Sequence, residues 1–169
     1  APKFNNIFDY DNQLFKNIRN EKVAAIELGH NYHTSLISIN LNAYHTQWKN
    51  KPESGSTVVD GENIKYNING INALHQGIEL DASINLTPKI TIQLLRSIGN
   101  WRWTSGDTIR SYDDNNELLG TDYFDATGVH VGDAAQLQMG SSIRYSPIKN
   151  GYIKIKMMRF DNHYADFNP

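Results

Sequence analysis

Residues 76–86 read QGIELDASINL, and apolar and polar side chains alternate from Ile78 to Leu86. In an extended chain, Ile78, Leu80 and Ile84 share one face, while Glu79 and Asp81 lie on the other. A period of two is typical of a β-strand whose two faces meet different surroundings. The polar set is too polar for a dry protein core, so this strand is predicted to separate an apolar environment from an aqueous one.

The same alternation recurs in five other segments, at residues 23–33, 36–48, 90–103, 135–145 and 152–160. The connections at 33–35, 87–89 and 147–151 are short, whereas those at 49–73 and 104–133 exceed twenty residues and are rich in Gly, Asp, Asn and Tyr. We therefore expect an all-β fold, an antiparallel meander of about six long strands with short turns on one side and long loops on the other. This asymmetry is typical of transmembrane β-barrels, so the sheet is predicted to be part of a larger barrel.

The alternation also predicts which side chains share a face of the sheet. The apolar face is expected to carry Ile37, Ile39, Leu41, Ile78, Leu80, Ala82, Ile90, Ile92 and Leu94. The polar face is expected to carry Glu27, Asn40, Asn42, Glu79 and Asp81. Arg96 falls on the apolar face by this count, where exposure to the bilayer midplane would cost about 2–4 kcal/mol. We therefore expect Arg96 either to lie near the lipid headgroups or to mark a break in the alternation.

Four stretches carry a resemblance to a known family. They are EKVAAIELGHNYHT (21–34), SINLNAYHTQWKNKP (38–52), YNINGINALHQGIELD (66–81) and the long segment 97–140 that begins SIGNWRWTSGDT. In this order they resemble the later barrel strands of TonB-dependent outer-membrane receptors, and the resemblance covers nearly the whole chain. The recurring elements are the IELG-type strand, the Y-x-x-x-W-x-x-x-P end of the next strand and the G-I-E-L strand.

The resemblance implies a 22-stranded barrel with an N-terminal plug in the cell outer membrane. It also implies import of a scarce nutrient, such as an iron chelate, cobalamin or an oligosaccharide, driven by TonB acting through the plug region. Six strands fall short of the roughly eight that close the smallest membrane barrel. We therefore expect residues 1–169 to be a single unit, a fragment of the barrel without the plug domain, with outer-membrane lipid against its apolar face.

Composition narrows the other possibilities for the 169 residues. The net charge is −2 with no basic block, which argues against nucleic-acid binding. No cysteine is present, and His30 and His33 are three apart and so lie on opposite faces of a strand, which prevents chelation. The oxygen donors Asp113, Asn115 and Glu117 lack the glycine and glutamate spacing of an EF-hand. We expect no enzyme activity, no metal centre and no cofactor.

Aromatic and acidic residues crowd the end of the fourth strand and the loop after it. Two interpretations remain open: an aromatic girdle at the membrane boundary with packing inside the loop, or a platform on which a sugar or chelate ring stacks. The candidate ligand-binding residues are Trp101, Trp103, Asp107, Tyr112, Asp113, Asp122 and Tyr123.

Two other functions compete with the receptor. A soluble β-sandwich could bind carbohydrate through Trp101 and Trp103, but it would need its polar face in water and its apolar face buried. A glycoside hydrolase could use Glu79 and Asp81, but it would need both in a cleft with separated pKa values. A lumenal barrel wall instead leaves both carboxylates solvated.

An open sheet with an apolar face leaves two unpaired edges and a hydrophobic patch, both of which favour association. We therefore expect the isolated chain in water to self-associate or to cover its apolar face with its own loops. Analytical ultracentrifugation measures this directly. An ideal monomer whose edges and apolar face are bare would contradict the prediction.

Overall fold

The computed structural model describes Phe8, residues 19–132 and residues 134–165, with the backbone alone at Asn69. The described residues form eight strands: β1 (Lys22–His33), β2 (Ile37–Val59), β3 (Glu62–Thr87), β4 (Ile90–Trp103), β5 (Asp107–Tyr112), β6 (Leu118–Phe124), β7 (Ala135–Ile148) and β8 (Gly151–His163). They include no helix long and apolar enough to cross a membrane.

Six of these strands form the predicted meander. The sheet order is β1-β2-β3-β4-β7-β8, and every pairing along it is antiparallel. The three short turns lie at one end of the sheet, and two of them are closed by a threonine. The hydroxyl oxygen of Thr34 accepts the Ile37 N–H at 3.0 Å, and that of Thr87 accepts the Ile90 N–H at 3.1 Å. Such side-chain bonds to the backbone stabilise tight turns.

The register confirms the predicted faces. Residues directly opposite each other in antiparallel strands lie on the same face of the sheet. Leu41 pairs with Leu80, Ala82 with Leu94, and Ile92 with Ile143, whereas Asn42 pairs with Glu79 and Asn40 with Asp81. The first group belongs to one face, called the apolar face below, and the second group to the other, called the polar face.

The apolar band runs obliquely across the hydrogen-bond ladder. It extends from Ile26 to Tyr32 on β1 and from Ile153 to Met157 on β8. Tyr32 is the end of the band nearest the turns on β1, and Met157 is the end farthest from the turns on β8. Both residues nevertheless belong to the same row of paired residues across the sheet. The band thus moves by about one residue (~3.3 Å) per strand (~4.8 Å), which corresponds to strands tilted by about 35°. Strand tilt of this size is typical of membrane barrels.

The alternation of β4 continues through Arg96. The ladder stays regular through Leu80 and Arg96, so the side chain does lie on the apolar face. The next residue on this face of β4, Ile98, is again apolar and lies opposite Ile78, so apolar side chains flank Arg96 on both sides. Farther along the row that contains Arg96 lies Arg159, whose Nε is 2.7 Å from a carboxylate oxygen of Asp161. Arg96 is therefore a charged residue within the apolar face, and the alternation does not break there.

The two long connections contain strands, which differs from the expected loops. Within 49–73, β2 and β3 continue to a two-residue turn at Asp60 and Gly61, with φ of 52° and 89°. Positive φ at both positions is the signature of a type I′ hairpin, for which Asp-Gly is a favoured pair. Within 104–133, β5 and β6 form a second hairpin, and β5 pairs with β3. The extensions of β2 and β3 together with β5 and β6 form a small sheet at the loop end, called the loop-end sheet below.

The opposite environments of the two faces can be tested with single cysteines, since the chain has none of its own. A nitroxide attached at Ile92→Cys should collide readily with oxygen, which concentrates in lipid, when the complete receptor is in vesicles. The neighbouring Gln93→Cys should not show this preference, because residue 93 lies on the polar face. Power-saturation EPR measures both. Equal oxygen accessibility at the two positions would contradict the assignment of faces.

Candidate functional site

The buried core lies at the loop end of the molecule. The six-strand sheet packs against no second layer within the described residues, and many large apolar side chains on it are exposed. The core instead gathers where the loop-end sheet meets the end of β4 and the segment before β7. Its buried members are Ile68, Ile71, Ala73, Trp103, Ile109 and Ala126. This cluster fixes the geometry of the loop end.

Two bulges shape the approach of β2 and β3 to this core. β2 carries one extra residue between Trp48 and Lys51, where Asn50 has a φ of 55°, and β3 carries one extra between Ile68 and Ile71. A bulge leaves a backbone group without a ladder partner. At the second bulge the Gly70 N–H donates to a carboxylate oxygen of Asp107 at 2.6 Å, so the start of β5 is fastened to β3.

The end of β4 has no paired strand on its β7 side within the described residues, and a glutamine side chain forms hydrogen bonds with it there. The β4–β7 ladder ends at Ile98 and Leu137. Beyond it, the side-chain amide of Gln136 accepts the Trp101 N–H and donates to the Trp101 carbonyl, both at 3.0 Å. Gln136 thereby makes the two bonds that a paired strand residue would make. Its burial keeps water from competing for them.

The segment 126–131 covers the same edge of β4. Trp103 donates to the Val129 carbonyl and accepts from Gly128 N–H, both at 2.9 Å, and Val131 N–H donates to the Trp101 carbonyl at 3.0 Å. At the start of this segment, hydrogen bonds from the side chain and the backbone N–H of Thr127 hold the pKa of the exposed Asp125 below its usual value. The segment is thus fastened by backbone bonds along its length.

The predicted aromatic residues fall into two groups. Trp103 is 2% exposed and Tyr112 is 0% exposed, so the protein itself covers both rings. Lys51 lies over the Trp103 ring, 5.0 Å from its centroid. By contrast, Trp101 is half-buried on the polar face and Tyr123 is 70% exposed on β6. The girdle interpretation is wrong for Trp101 and Trp103, because the register places both on the polar face.

The predicted acidic residues are also divided. Asp107 is occupied by the Gly70 N–H, as described above. Asp113 closes the β5–β6 turn, where one carboxylate oxygen accepts the Glu117 N–H at 2.8 Å. Asp122 lies exposed on β6. The structure therefore gives Asp107 and Asp113 roles in local structure and leaves Asp122 open to solvent. No cluster of three or more potential metal ligands occurs in the described part of the chain.

The structure adds residues that the sequence reasoning did not assign to the site. Tyr44, Trp48 and His75 lie on the polar face beside Trp101. His75 stacks on Trp101 with ring centroids 5.4 Å apart, and the Trp101 indole N–H donates to the Tyr44 hydroxyl at 2.8 Å. The alternation in 36–48 already placed Tyr44 with the polar residues, but only the register brings the four rings together.

The fold and the two faces define a wall segment of an outer-membrane type of β-barrel. Residues 1–165 match the family model described as TonB dependent receptor-like, beta-barrel, and the chain belongs to this family. It is a family of outer-membrane receptors and transporters, generally without enzyme activity. Comparisons with curated proteins and with solved structures found no match.

Replacing Gln136 with Ala should loosen the end of β4. Both bonds to Trp101 are lost, and the Trp101 N–H is left without its acceptor, at a cost of about 1–3 kcal/mol, while the Trp101 carbonyl keeps its bond from the Val131 N–H. Hydrogen exchange measured by mass spectrometry should accelerate in peptides covering 99–103 and stay unchanged in β1. The exposed Gln47→Ala is the matched control and should change neither. Normal protection of 99–103 in Gln136→Ala would show that the amide is dispensable.

Proposed function

We propose that this chain forms part of the wall and outer mouth of a receptor that imports a scarce nutrient across the cell outer membrane. The nutrient classes are those of the resemblance: an iron chelate, cobalamin or an oligosaccharide. Energy comes from TonB acting through a plug region outside residues 1–169. The proposal rests on the six-strand sheet, which has one apolar and one polar face. The exposed apolar face is stable only against an apolar environment such as lipid.

Exposure of the apolar face separates this function from a soluble carbohydrate-binding sandwich. Ile26 is 75% and Ile155 is 68% exposed, on strands at opposite edges of the sheet. A sandwich would bury these side chains under a second sheet, and water would disfavour so large a bare patch. Lipid tails solvate such a face without any covering layer.

The polar face argues against hydrolysis by Glu79 and Asp81. Both side chains are exposed on an open wall, and their strand partners are the small or polar residues Asn42, Ser97 and Asn40 together with Leu95. A glycoside hydrolase raises the pKa of its acid by burying it. An exposed carboxylate on a lumenal wall instead hydrates the channel, so we assign the receptor no catalytic step.

The loop-end sheet supplies the surface that a ligand meets first. Tyr123 and Asp122 lie exposed on β6, and Trp101 lies half-buried on the polar face of β4. We assign ligand contact to these three residues. Trp103 and Tyr112 have buried rings, so we assign them a structural role: their packing holds the hairpins in place.

Deleting the gene in the source bacterium tests the function. Growth should fail on one nutrient class only, when iron chelates, cobalamin and oligosaccharides are each made limiting in turn. A strain lacking TonB should show the same defect, because import is energy-coupled. Normal growth of the deletion strain under all three limitations, or recovery of the intact protein in the soluble fraction, would overturn the proposal.

A further inference from the structure

Two aromatic rings lie flat against the polar face because two glycines leave room for them. A Cβ at Gly77 would stand 2.5 Å from the Tyr44 hydroxyl oxygen and 2.8 Å from the ring carbon that bears it. A Cβ at Gly99 would stand 2.8 Å from the Trp101 indole nitrogen and 3.0 Å from the adjoining ring carbon. Gly77 and Gly99 are opposite each other on β3 and β4, so the rings form one continuous surface, called the aromatic floor below.

Contacts between the rings hold the aromatic floor together. The 2.8 Å hydrogen bond joins the Trp101 indole to the Tyr44 hydroxyl across β3. The imidazole of His75 stacks on Trp101 with planes 19° apart. Rings that are fixed before a ligand arrives lose little conformational entropy on binding.

Polar side chains from three strands surround the aromatic floor. Glu27 pairs directly with Tyr44, Glu79 with Asn42, and Thr46 with His75, so all of them project from the polar face. They line one shallow hollow together with the rings of Tyr44 and Trp101. Both glutamates are exposed, so neither carboxylate is covered by another described part of the chain.

This combination selects the chemistry of a ligand. The apolar C–H face of a pyranose ring packs well on a flat aromatic surface, and carboxylate and amide oxygens accept hydrogen bonds from its hydroxyl groups. Two carboxylates at the rim disfavour an anion, since like charges repel at short range. We propose that the aromatic floor with Glu27 and Glu79 is a subsite for a neutral pyranose unit of an oligosaccharide. This inference rests on the proposed import function and names its substrate class.

Gly99→Ala is the sharpest variant, because it keeps every ring and carboxylate. The three heavy atoms nearest to the added methyl group all belong to the Trp101 side chain, so the substitution forces the indole off the sheet. Gly120→Ala, on β6, is the matched control, because a Cβ there meets nothing within 4 Å. Trp101→Ala removes half of the aromatic floor, and Glu79→Gln keeps the size of the side chain while removing its charge.

Binding is measured on the complete receptor in detergent by tryptophan fluorescence and calorimetry. The probes are hexamers of β-1,4-linked xylose and mannose, a heptamer of α-1,4-linked glucose, a hexamer of N-acetylglucosamine and its deacetylated, cationic form, together with a ferric hydroxamate and cobalamin. We expect at least one neutral oligosaccharide to bind. Gly99→Ala and Trp101→Ala should each weaken it about tenfold or more, Glu79→Gln severalfold, and Gly120→Ala not at all.

Three outcomes would overturn the subsite. Binding of the ferric chelate or of cobalamin, with no neutral oligosaccharide bound, would refute it and leave the import function standing. Preference for the deacetylated hexamer, lost on adding salt, would identify a cation site instead. A neutral oligosaccharide that binds equally well to Gly99→Ala and Trp101→Ala would place recognition elsewhere. Failure of the import function itself shows separately, as normal growth of the deletion strain.

Discussion

The rest of the structure depends on the pairing of backbone N–H and C=O groups between strands, which is a requirement for a family whose barrels lie in the outer membrane. A bilayer offers no hydrogen-bond partners, so the strands must supply them to one another. The ladder from β1 to β8 does this through five antiparallel pairings, apart from a few bulges and the outer edges of β1 and β8, which have no neighbouring strand within the described residues. Because the backbone N–H and C=O groups are paired within the sheet, only the side chains distinguish its two faces. The apolar band and the polar wall are the result, and the oblique course of the band follows from the tilt of the strands.

Where β3 and β4 extend beyond their neighbours in the six-strand sheet, other groups form the missing hydrogen bonds. The last residues of β4 extend beyond the part that pairs with β7. They form hydrogen bonds with the Gln136 amide and with the segment 126–131 instead. The first part of β3 likewise lies beyond its pairing with β4, and there β3 pairs with β5. These replacements bring apolar side chains from distant segments together, which explains why the buried core lies at the loop end. The same region therefore combines a fixed scaffold with exposed residues such as Tyr123.

Much of the fold was predictable, and the errors have specific causes. The six strands, their faces and the three short turns follow from alternation, which depends only on neighbouring residues. The Asp60-Gly61 turn was also readable, since Asp-Gly between extended segments is a hairpin signal. It was missed because Pro52, Gly55 and the two bulges interrupt the alternation of 49–73. Of the predicted ligand-binding residues, Trp103 and Tyr112 proved to be buried, which alternation could not show because burial depends on contacts with distant segments.

The sequence by itself determined the strands, the two faces and the resemblance to a receptor family, because a period of two is a local property. Only the tertiary structure decided which residues meet across strands. It placed Tyr44 opposite Gly77, Gly77 opposite Gly99 and Trp101 beside His75, although these residues are far apart in the chain. The physical reason is register: the backbone ladder fixes the neighbours of each residue, and a shift of one position would send every ring to the opposite face.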